Sequence, residues 1–240
     1  MDNLYIIIPA YNEEATIKQV IDDWYPVVEQ IGNDSKLVII NDGSKDRTYE
    51  IMQEYAKTRP FFLPLTKENG GHGATVLFGY HYAISQNADY IFQTDSDGQT
   101  LPSEFAEFWA LREQYDMIIG HRCKREDGIS RIFVTKVLKF VLRICFGVSV
   151  TDANTPFRLL KRDTLVQYID LIPKDFNLSN VILSVIYTKK NLRIKYLPIT
   201  FRPRQGGVNS INLPKIFGIG KQALKDFRAI NRSLNRVGGK

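Results

Sequence analysis

Two carboxylates two residues apart, Asp95 and Asp97, stand where an apolar run ends, in the segment Gln93-Thr94-Asp95-Ser96-Asp97-Gly98-Gln99. Two positions apart in an extended chain, they face the same side. Such a pair can share a hard divalent cation, and Mg²⁺ or Mn²⁺ held by one or two carboxylates keeps coordination positions for diphosphate oxygens. A plain Asp-Gly turn is built from the same residues, and the segment alone does not choose between the two readings. A second strand-end carboxylate, Asp42, follows Val38-Ile39-Ile40-Asn41 and can accept hydrogen bonds from a ribose or a base. Behind it, Ser44, Asp46 and Thr48 read as turn and cap residues of the next helix.

The segment Asn69-Gly70-Gly71-His72-Gly73-Ala74 lets backbone amides approach an anion at a helix start, where the dipole favours negative charge. No Lys-Ser or Lys-Thr follows these glycines, as a phosphate-binding loop of an ATPase requires. The first strand runs into Pro9-Ala10-Tyr11-Asn12, not into a Gly-x-Gly-x-x-Gly turn. ATP hydrolysis and NAD binding therefore both lose support. His72 on its own reads as a loop residue.

These loops need elements to hold them. Short apolar runs at Leu4–Pro9, Lys36–Asn41, Phe61–Thr66, Ala88–Thr94 and Met117–Gly120 predict strands. Helix-period segments at about 13–31, 46–59, 73–87 and 102–115 fall between them. The alternation predicts an α/β fold with a mostly parallel sheet and crossover helices. Ligands of such sheets sit beyond the carboxyl ends of the strands, where four polar loops converge. The second half is less regular: an apolar helical stretch at Ser130–Phe146, a segment Thr151–Lys161, helical patterns near 162–170 and 177–190, and a strand near Arg193–Arg202. No internal repeat or low-complexity linker interrupts the 240 residues, which suit one large domain with an appendage.

Charge is uneven. The chain carries +6, and the stretch from Lys215 to Lys240, with seven basic residues and Asp226, holds all of it. A basic end on a neutral body points to an anionic surface met by that end. In the tail, Lys221, Lys225, Arg228, Arg232 and Arg236 share one helical face, while Ile216, Leu224, Phe227, Ile230 and Leu234 favour another. In Ser130–Phe146, Arg131, Lys136, Lys139 and Arg143 form a similar stripe. No run of 18 apolar residues exists to span a bilayer, so both helices suit an interfacial position on an anionic leaflet; the alternative for Ser130–Phe146 is a core helix with one solvated face, and for the tail a solvated surface or a subunit contact. Cys123 and Cys145 show neither a metal-binding nor a disulfide spacing, and Met1-Asp2-Asn3 leads straight into the first strand. Both features predict a cytoplasmic protein.

The motifs, taken together and in order, carry a resemblance. Ile8-Pro9-Ala10-Tyr11-Asn12-Glu13, Asn41-Asp42-Gly43-Ser44, Asn69-Gly70-Gly71-His72-Gly73, Asp95-Ser96-Asp97-Gly98-Gln99, Gly120-His121-Arg122, Thr151 to Arg158 and Pro198 to Gly207 resemble family-2 inverting glycosyltransferases, closest to the dolichol-phosphate-mannose-synthase-like branch. The resemblance spans about residues 4–212. It implies a GT-A fold, assigned to 1–212, to which the charge pattern adds a basic amphipathic helix over 213–240. It implies a nucleotide site at Pro9, Ala10, Tyr11, Glu13, Asp42, Gly71 and Asp95, and an Mg²⁺ or Mn²⁺ site at Asp95, Asp97 and Gln99. Arg202 and Arg204 match a late phosphate clamp, Arg122 and Arg131 an acceptor-phosphate site, and Asp152 an acidic position near the acceptor.

The implied reaction moves a sugar from a nucleotide-sugar donor to a polyprenyl phosphate at the inner face of the membrane. A saccharide or lipid-linked saccharide hydroxyl is the alternative acceptor, with Asp152 as base. Asn41 in place of Asp, His72 in place of Lys, and Asn154-Thr155-Pro156 in place of Ser-Gly depart from the family pattern. The last departure bears on the acceptor. A nucleic-acid-binding reading leaves the four strand-end loops unexplained and finds no recognition module. A sugar-nucleotide nucleotidyltransferase lacks its Gly-rich N-terminal signature. A homo-oligomer is compatible with all of this.

Overall fold

Leu4–Ala10 forms strand β1, and all seven of its residues are buried. An apolar run buried on both faces is what the centre of a parallel sheet requires. The computed structural model describes residues 2–122, 129–202 and 224–235, without the side chains of 129–136. Strands β2 (Lys36–Asp42), β3 (Phe62–Lys67), β4 (Tyr90–Gln93), β5 (Met117–Arg122), β6 (Arg158–Lys161) and β7 (Ile194–Ile199) complete one sheet in the order β3-β2-β1-β4-β6-β5-β7. Only β6 runs antiparallel to its neighbours β4 and β5; the other pairings are parallel.

The sheet separates two cores. Tyr5, Ile7, Val38 and Ile40 face one, with helices α3 (His72–Ser85), α5 (Ile129–Phe146) and α7 (Ser179–Lys189). Leu4, Ile6, Ile8, Leu37 and Ile39 face the other, with α1 (Ile17–Ile31), α2 (Thr48–Ala56) and α4 (Phe105–Ala110). This alternation is the period-2 geometry of a strand written twice, once per face. Helix α3 lies close on the sheet because Gly79 has no side chain: a Cβ there would fall 2.3 Å from Ile7 Cγ2 and 2.7 Å from Ile40 Cδ1.

The predicted strands and helices correspond to β1–β5, β7, α1–α5 and α7, with three differences. The helix expected over 102–115 is a 3-10 turn at Pro102–Glu104 followed by the six residues of α4. Leu111 donates to both Glu107 and Phe108, and Arg112 and Gln114 bond three residues back, so the chain tightens into turns. The pattern near 162–170 resolves into the four-residue α6 (Arg162–Leu165) and a 3-10 turn at Ile169–Leu171. The segment Thr151–Lys161, unassigned from sequence, ends in β6.

The tail also differs from a free appendage. A helix over 224–235, here α8, buries Phe227, Ile230 and Leu234 in the core shared with α3, α5 and α7. Phe227 meets Phe146 edge-on at 5.4 Å and Phe176 at 5.9 Å. Asn231 Nδ2 donates to Cys145 O at 2.9 Å, and Lys190 Nζ donates to Leu234 O at 3.1 Å. Only the cationic side, with Lys225, Arg228 and Arg232, meets solvent. Ile216, Lys221, Arg236 and the 212/213 boundary lie outside the described residues, as does the side chain of Lys136.

Candidate active site

The loops after β1 and β2 are zipped together. Asn12, in the left-handed region at φ 55°, donates its N–H to Ser44 Oγ at 2.9 Å and accepts from Lys45 N at 2.8 Å. Glu13 N donates to Thr48 Oγ1 and Glu14 N to Asp46 Oδ2, while Arg47 N returns a bond to Glu14 Oε2. Asp46 also accepts from Thr48 N at 3.0 Å, a turn contact as the sequence suggested, but the expected helix cap is not formed: Ser44 and Thr48 bind the first loop, and α2 starts after Arg47 without a side-chain cap bond. Pro9 and Ala10 close β1 beside Ile40 and Asn41, and Tyr11 stands out from the edge, 43% exposed. Glu13 is buried and its Oε2 lies 2.9 Å from Thr16 Oγ1, which is also 3.2 Å from Ser96 O in the loop after β4.

Asp42 is engaged on both oxygens. Oδ1 accepts from Gly70 N at 2.9 Å and from Lys67 Nζ, and Oδ2 accepts from Gly71 N at 2.9 Å. Burial alone would push the Asp42 carboxyl up, but the Lys67, Gly70 and Thr75 hydrogen bonds outweigh it and hold its pKa below the ordinary carboxylate value. Lys67 was not singled out from sequence. Its signal is positional: Asp42 and Lys67 are register partners at the ends of parallel β2 and β3. Asp42 therefore organises the glycine loop, and Gly71 sits at φ 85°, where side chains are disfavoured.

His72 opens α3 and places Nε2 at 2.9 Å from Asp95 Oδ1. Desolvation lowers the proton affinity of the imidazole, but Asp95, with Asp97 and Asp42 beyond it, outweighs that and raises its pKa. The Asp95–Gln99 loop is closed at its base by Thr94 Oγ1 and Thr100 Oγ1, 2.7 Å apart, and turned at Gly98, φ 70°. Gln99 N donates to Asp97 Oδ1 at 3.1 Å. Arg202 pins the loop from outside: its N–H donates to Gln99 O, Gln99 Nε2 donates to Arg202 O, both at 2.8 Å, and its guanidinium reaches Gly98 O at 3.1 Å. Arg204 lies outside the described residues, as does the side chain of Arg131.

On the other side of the site, Arg122 ends β5 and faces Asp152. Its Nε donates to Asp152 Oδ2 and its Nη2 to Asp152 Oδ1, each at 3.3 Å. The guanidinium carbon lies 5.1 Å from the Phe201 ring centroid, a cation–π arrangement that sequence reasoning missed. Phe201 adjoins Arg202, so one dipeptide touches both the Asp95–Gln99 loop and the Arg122–Asp152 pair. Below Asp152, Arg158 is fully buried. Its fork donates to Thr155 O from Nε and Nη2, to Ala153 O from Nη2, and to Asn180 O and Ser184 Oγ from Nη1. Those bonds shape the loop that carries Asp152.

The chain matches the profile of "Glycosyl transferase family 2" over residues 5–169. It belongs to that family. Among the relatives of this family 2 chain, an undecaprenyl-phosphate 4-deoxy-4-formamido-L-arabinose transferase of Pectobacterium carotovorum is 27% identical over 163 residues, 67% of this chain and 49% of the relative. A UDP-N-acetylglucosamine–dolichyl-phosphate N-acetylglucosaminyltransferase of Methanococcus voltae is 28% identical over 217 residues, 82% of this chain and 84% of the relative. The chain spans about half the length of most of the curated relatives it matches. Among solved structures, glucosyl-3-phosphoglycerate synthase of Mycobacterium tuberculosis superposes with TM-score 0.67 at 21% identity, covering 95% of this chain and 80% of that one. The fold is of the GT-A kind.

Among the described residues, no three or more His, Cys, Asp or Glu side chains converge to hold a metal ion. Asp95 and Asp97 in one loop suit a hard divalent cation that completes its shell with ligand oxygens. Gln99 turns its amide nitrogen to Arg202, so only its carbonyl oxygen is of the type that ligates such an ion.

Proposed function

We propose that this family 2 chain transfers a sugar, with inversion, from a nucleoside-diphosphate sugar to a polyprenyl phosphate. An acceptor phosphate oxygen forms the new bond to the anomeric carbon as the bond to the donor's diphosphate breaks, releasing a nucleoside diphosphate. The observation that carries the reading is the bidentate Arg122–Asp152 pair facing the Asp95–Gln99 loop through Phe201 and Arg202. A planar guanidinium is suited to phosphate recognition, and a phosphate nucleophile is already ionised and needs no base. Relatives named for undecaprenyl-phosphate and dolichyl-phosphate acceptors support the same class.

On the donor side, the zipped loops carrying Pro9, Ala10, Tyr11, Glu13, Asp42 and Gly71 would frame the nucleotide, with Tyr11 the exposed aromatic at the rim. Asp95 and Asp97, with the Gln99 oxygen, would hold Mg²⁺ or Mn²⁺, and such an ion offsets the charge building on a departing diphosphate. The glucosyl-3-phosphoglycerate synthase has been crystallised with Mn²⁺ and uridine diphosphate, which favours manganese as the first ion to test. Arg202 would act through the loop it pins, and Arg204 and Arg131 complete the proposed phosphate contacts. The alternative acceptor, a sugar hydroxyl, needs Asp152 as base, yet both Asp152 oxygens face Arg122.

An acceptor of this class would draw the protein to a lipid surface, and we propose a peripheral position at the inner face of the membrane. Val137, Phe140 and Ile144 form an exposed apolar edge on α5, with the exposed cations Lys139 and Arg143 beside it. No helix among the described residues is long and apolar enough to cross a membrane. An amphipathic edge of this kind suits the headgroup region of an anionic leaflet.

Incubation of a panel of labelled nucleotide sugars with polyprenyl phosphate and with saccharide acceptors tests the reading. The expected product is a polyprenyl-phosphate sugar, and Asp97→Ala should abolish its formation while leaving the fold intact. Transfer to saccharide hydroxyls alone, or normal turnover by a folded Asp97→Ala protein, would refute it.

A further inference from the structure

Arg122 is held in two different ways, and only one of them blocks its fork. Its face lies against Phe201 at 5.1 Å, which fixes the plane of the guanidinium. Its edge is covered by Asp152, with both N···O separations at 3.3 Å, longer than the roughly 2.7–2.9 Å of a tight charge-assisted bond. Asp152 is 5% exposed and Arg122 18%, so the pair is largely desolvated, with part of the guanidinium side chain still open to solvent. The carboxylate cannot easily follow a ligand outward, because Arg158 grips the carbonyls of Ala153 and Thr155 immediately after it.

Carboxylate and phosphate present the same bidentate pattern to a guanidinium, so one can replace the other on the same fork. We propose that Asp152 is a positioning residue: it occupies and aligns the Arg122 fork before an acceptor binds, and an acceptor phosphate displaces it. The exchange selects for a phosphate monoester, since a neutral hydroxyl has no charge with which to compete for the fork. This inference rests on the reading that Arg122 receives the acceptor phosphate, and it assigns Asp152 a role other than general base.

Calorimetric titration of geranyl phosphate, with geraniol as the uncharged control and no donor present, tests it on wild type, Asp152→Asn, Asp152→Ser, Arg122→Met and the Arg122→Met/Asp152→Asn double variant. Thermal melts identify the variants that fold, and the two Asp152 substitutions back each other up. Removing the competing carboxylate should tighten geranyl phosphate binding by about tenfold. Arg122→Met should weaken binding, and in its background Asp152→Asn should change affinity by no more than about twofold. Geraniol binding should be the same in all.

Unchanged or weaker geranyl phosphate binding in both Asp152 variants, or the same gain without Arg122, overturns the proposal. A drop in kcat of about 100-fold or more at saturating acceptor in Asp152→Asn, the size expected of a lost base, overturns it as well. The binding series needs no turnover. A wild type that glycosylates only hydroxyl acceptors would defeat the functional reading, while the titrations still decide whether Asp152 and phosphate compete for one fork.

Discussion

Arg158 offers a test in which charge and shape can be separated. It is the largest fully buried side chain, and its donors go to the carbonyls of Ala153, Thr155 and Asn180 and to the Ser184 hydroxyl. Arg158→Met orphans those carbonyls at about 1–3 kcal/mol each, or about 3–9 kcal/mol for three. Two effects offset this. A buried guanidinium costs several kcal/mol in desolvation, which Met does not incur. Ser184 Oγ, 2.9 Å from Asn180 O and 3.2 Å from Ala153 O, can keep one of the carbonyls partnered.

The expected net loss for Met is about 1–4 kcal/mol. Arg158→Lys retains the charge on a more strongly hydrated head with three donors in place of five, too few to span the 153–155 turn and α7 together. Lys should therefore be the less stable of the two. Urea denaturation gives the order, and steady-state kinetics with donor titration give the functional side. The acceptor KM should fall in a folded Arg158→Met protein, because a loosened Asp152 loop competes less well for the Arg122 fork, while donor Kd stays within about twofold. A Lys variant more stable than the Met variant, or a folded Met variant with unchanged acceptor kinetics, would refute the reasoning.

Gly79→Ala should cost about 1–3 kcal/mol in thermal or chemical denaturation, because the new methyl meets Ile7 and Ile40 across the α3–sheet contact. Asp42 has a depressed pKa in the folded state, so its contribution is present above its unfolded value near 4 and is lost as pH falls through the folded one. The stability gap between wild type and Asp42→Asn should accordingly shrink between about pH 5 and pH 2, and a constant gap would show that the Lys67 and glycine-loop bonds add nothing. Phe140→Asp should release the protein from anionic vesicles in cosedimentation, and wild-type binding should weaken with salt, given a Debye length of about 8 Å at physiological ionic strength. Equal binding of the variant, or of neutral vesicles, would remove α5 from the membrane reading.

The central strands were legible because strands buried on both faces read as unbroken apolar runs, as in Leu4-Tyr5-Ile6-Ile7-Ile8. The four polar loops at their ends were legible for the same reason, since each begins where a run stops. Strand β6 was not, because it is four residues long and begins with Arg158, whose burial depends on partners from α7 and the preceding turn. Lys67 and Phe201 escaped notice because their partners, Asp42 and Arg122, are distant in sequence and meet only through sheet register and the return of the chain after β7. Over 224–235 the tail has the two faces its periodicity suggests, but periodicity alone cannot say what covers an apolar stripe. Phe227, Ile230 and Leu234 give the same pattern against a core as against a leaflet.

The reversed strand in the sheet has a consequence for how the chain is assembled around its ligands. Parallel strands deliver to the ligand edge only the residues that follow them. A strand running the other way delivers the residues that precede it, so the turn at 151–157 opens onto the same edge as the loops after β1, β2 and β4. The loops proposed to frame the donor come before residue 100, with Arg202 reaching back to hold the last of them, and the proposed acceptor side arrives from later sequence by the opposite route. On the proposed reading, the two halves of the chemistry are written in separate stretches of the gene and meet along one line, with the Phe201-Arg202 dipeptide as the seam that touches both.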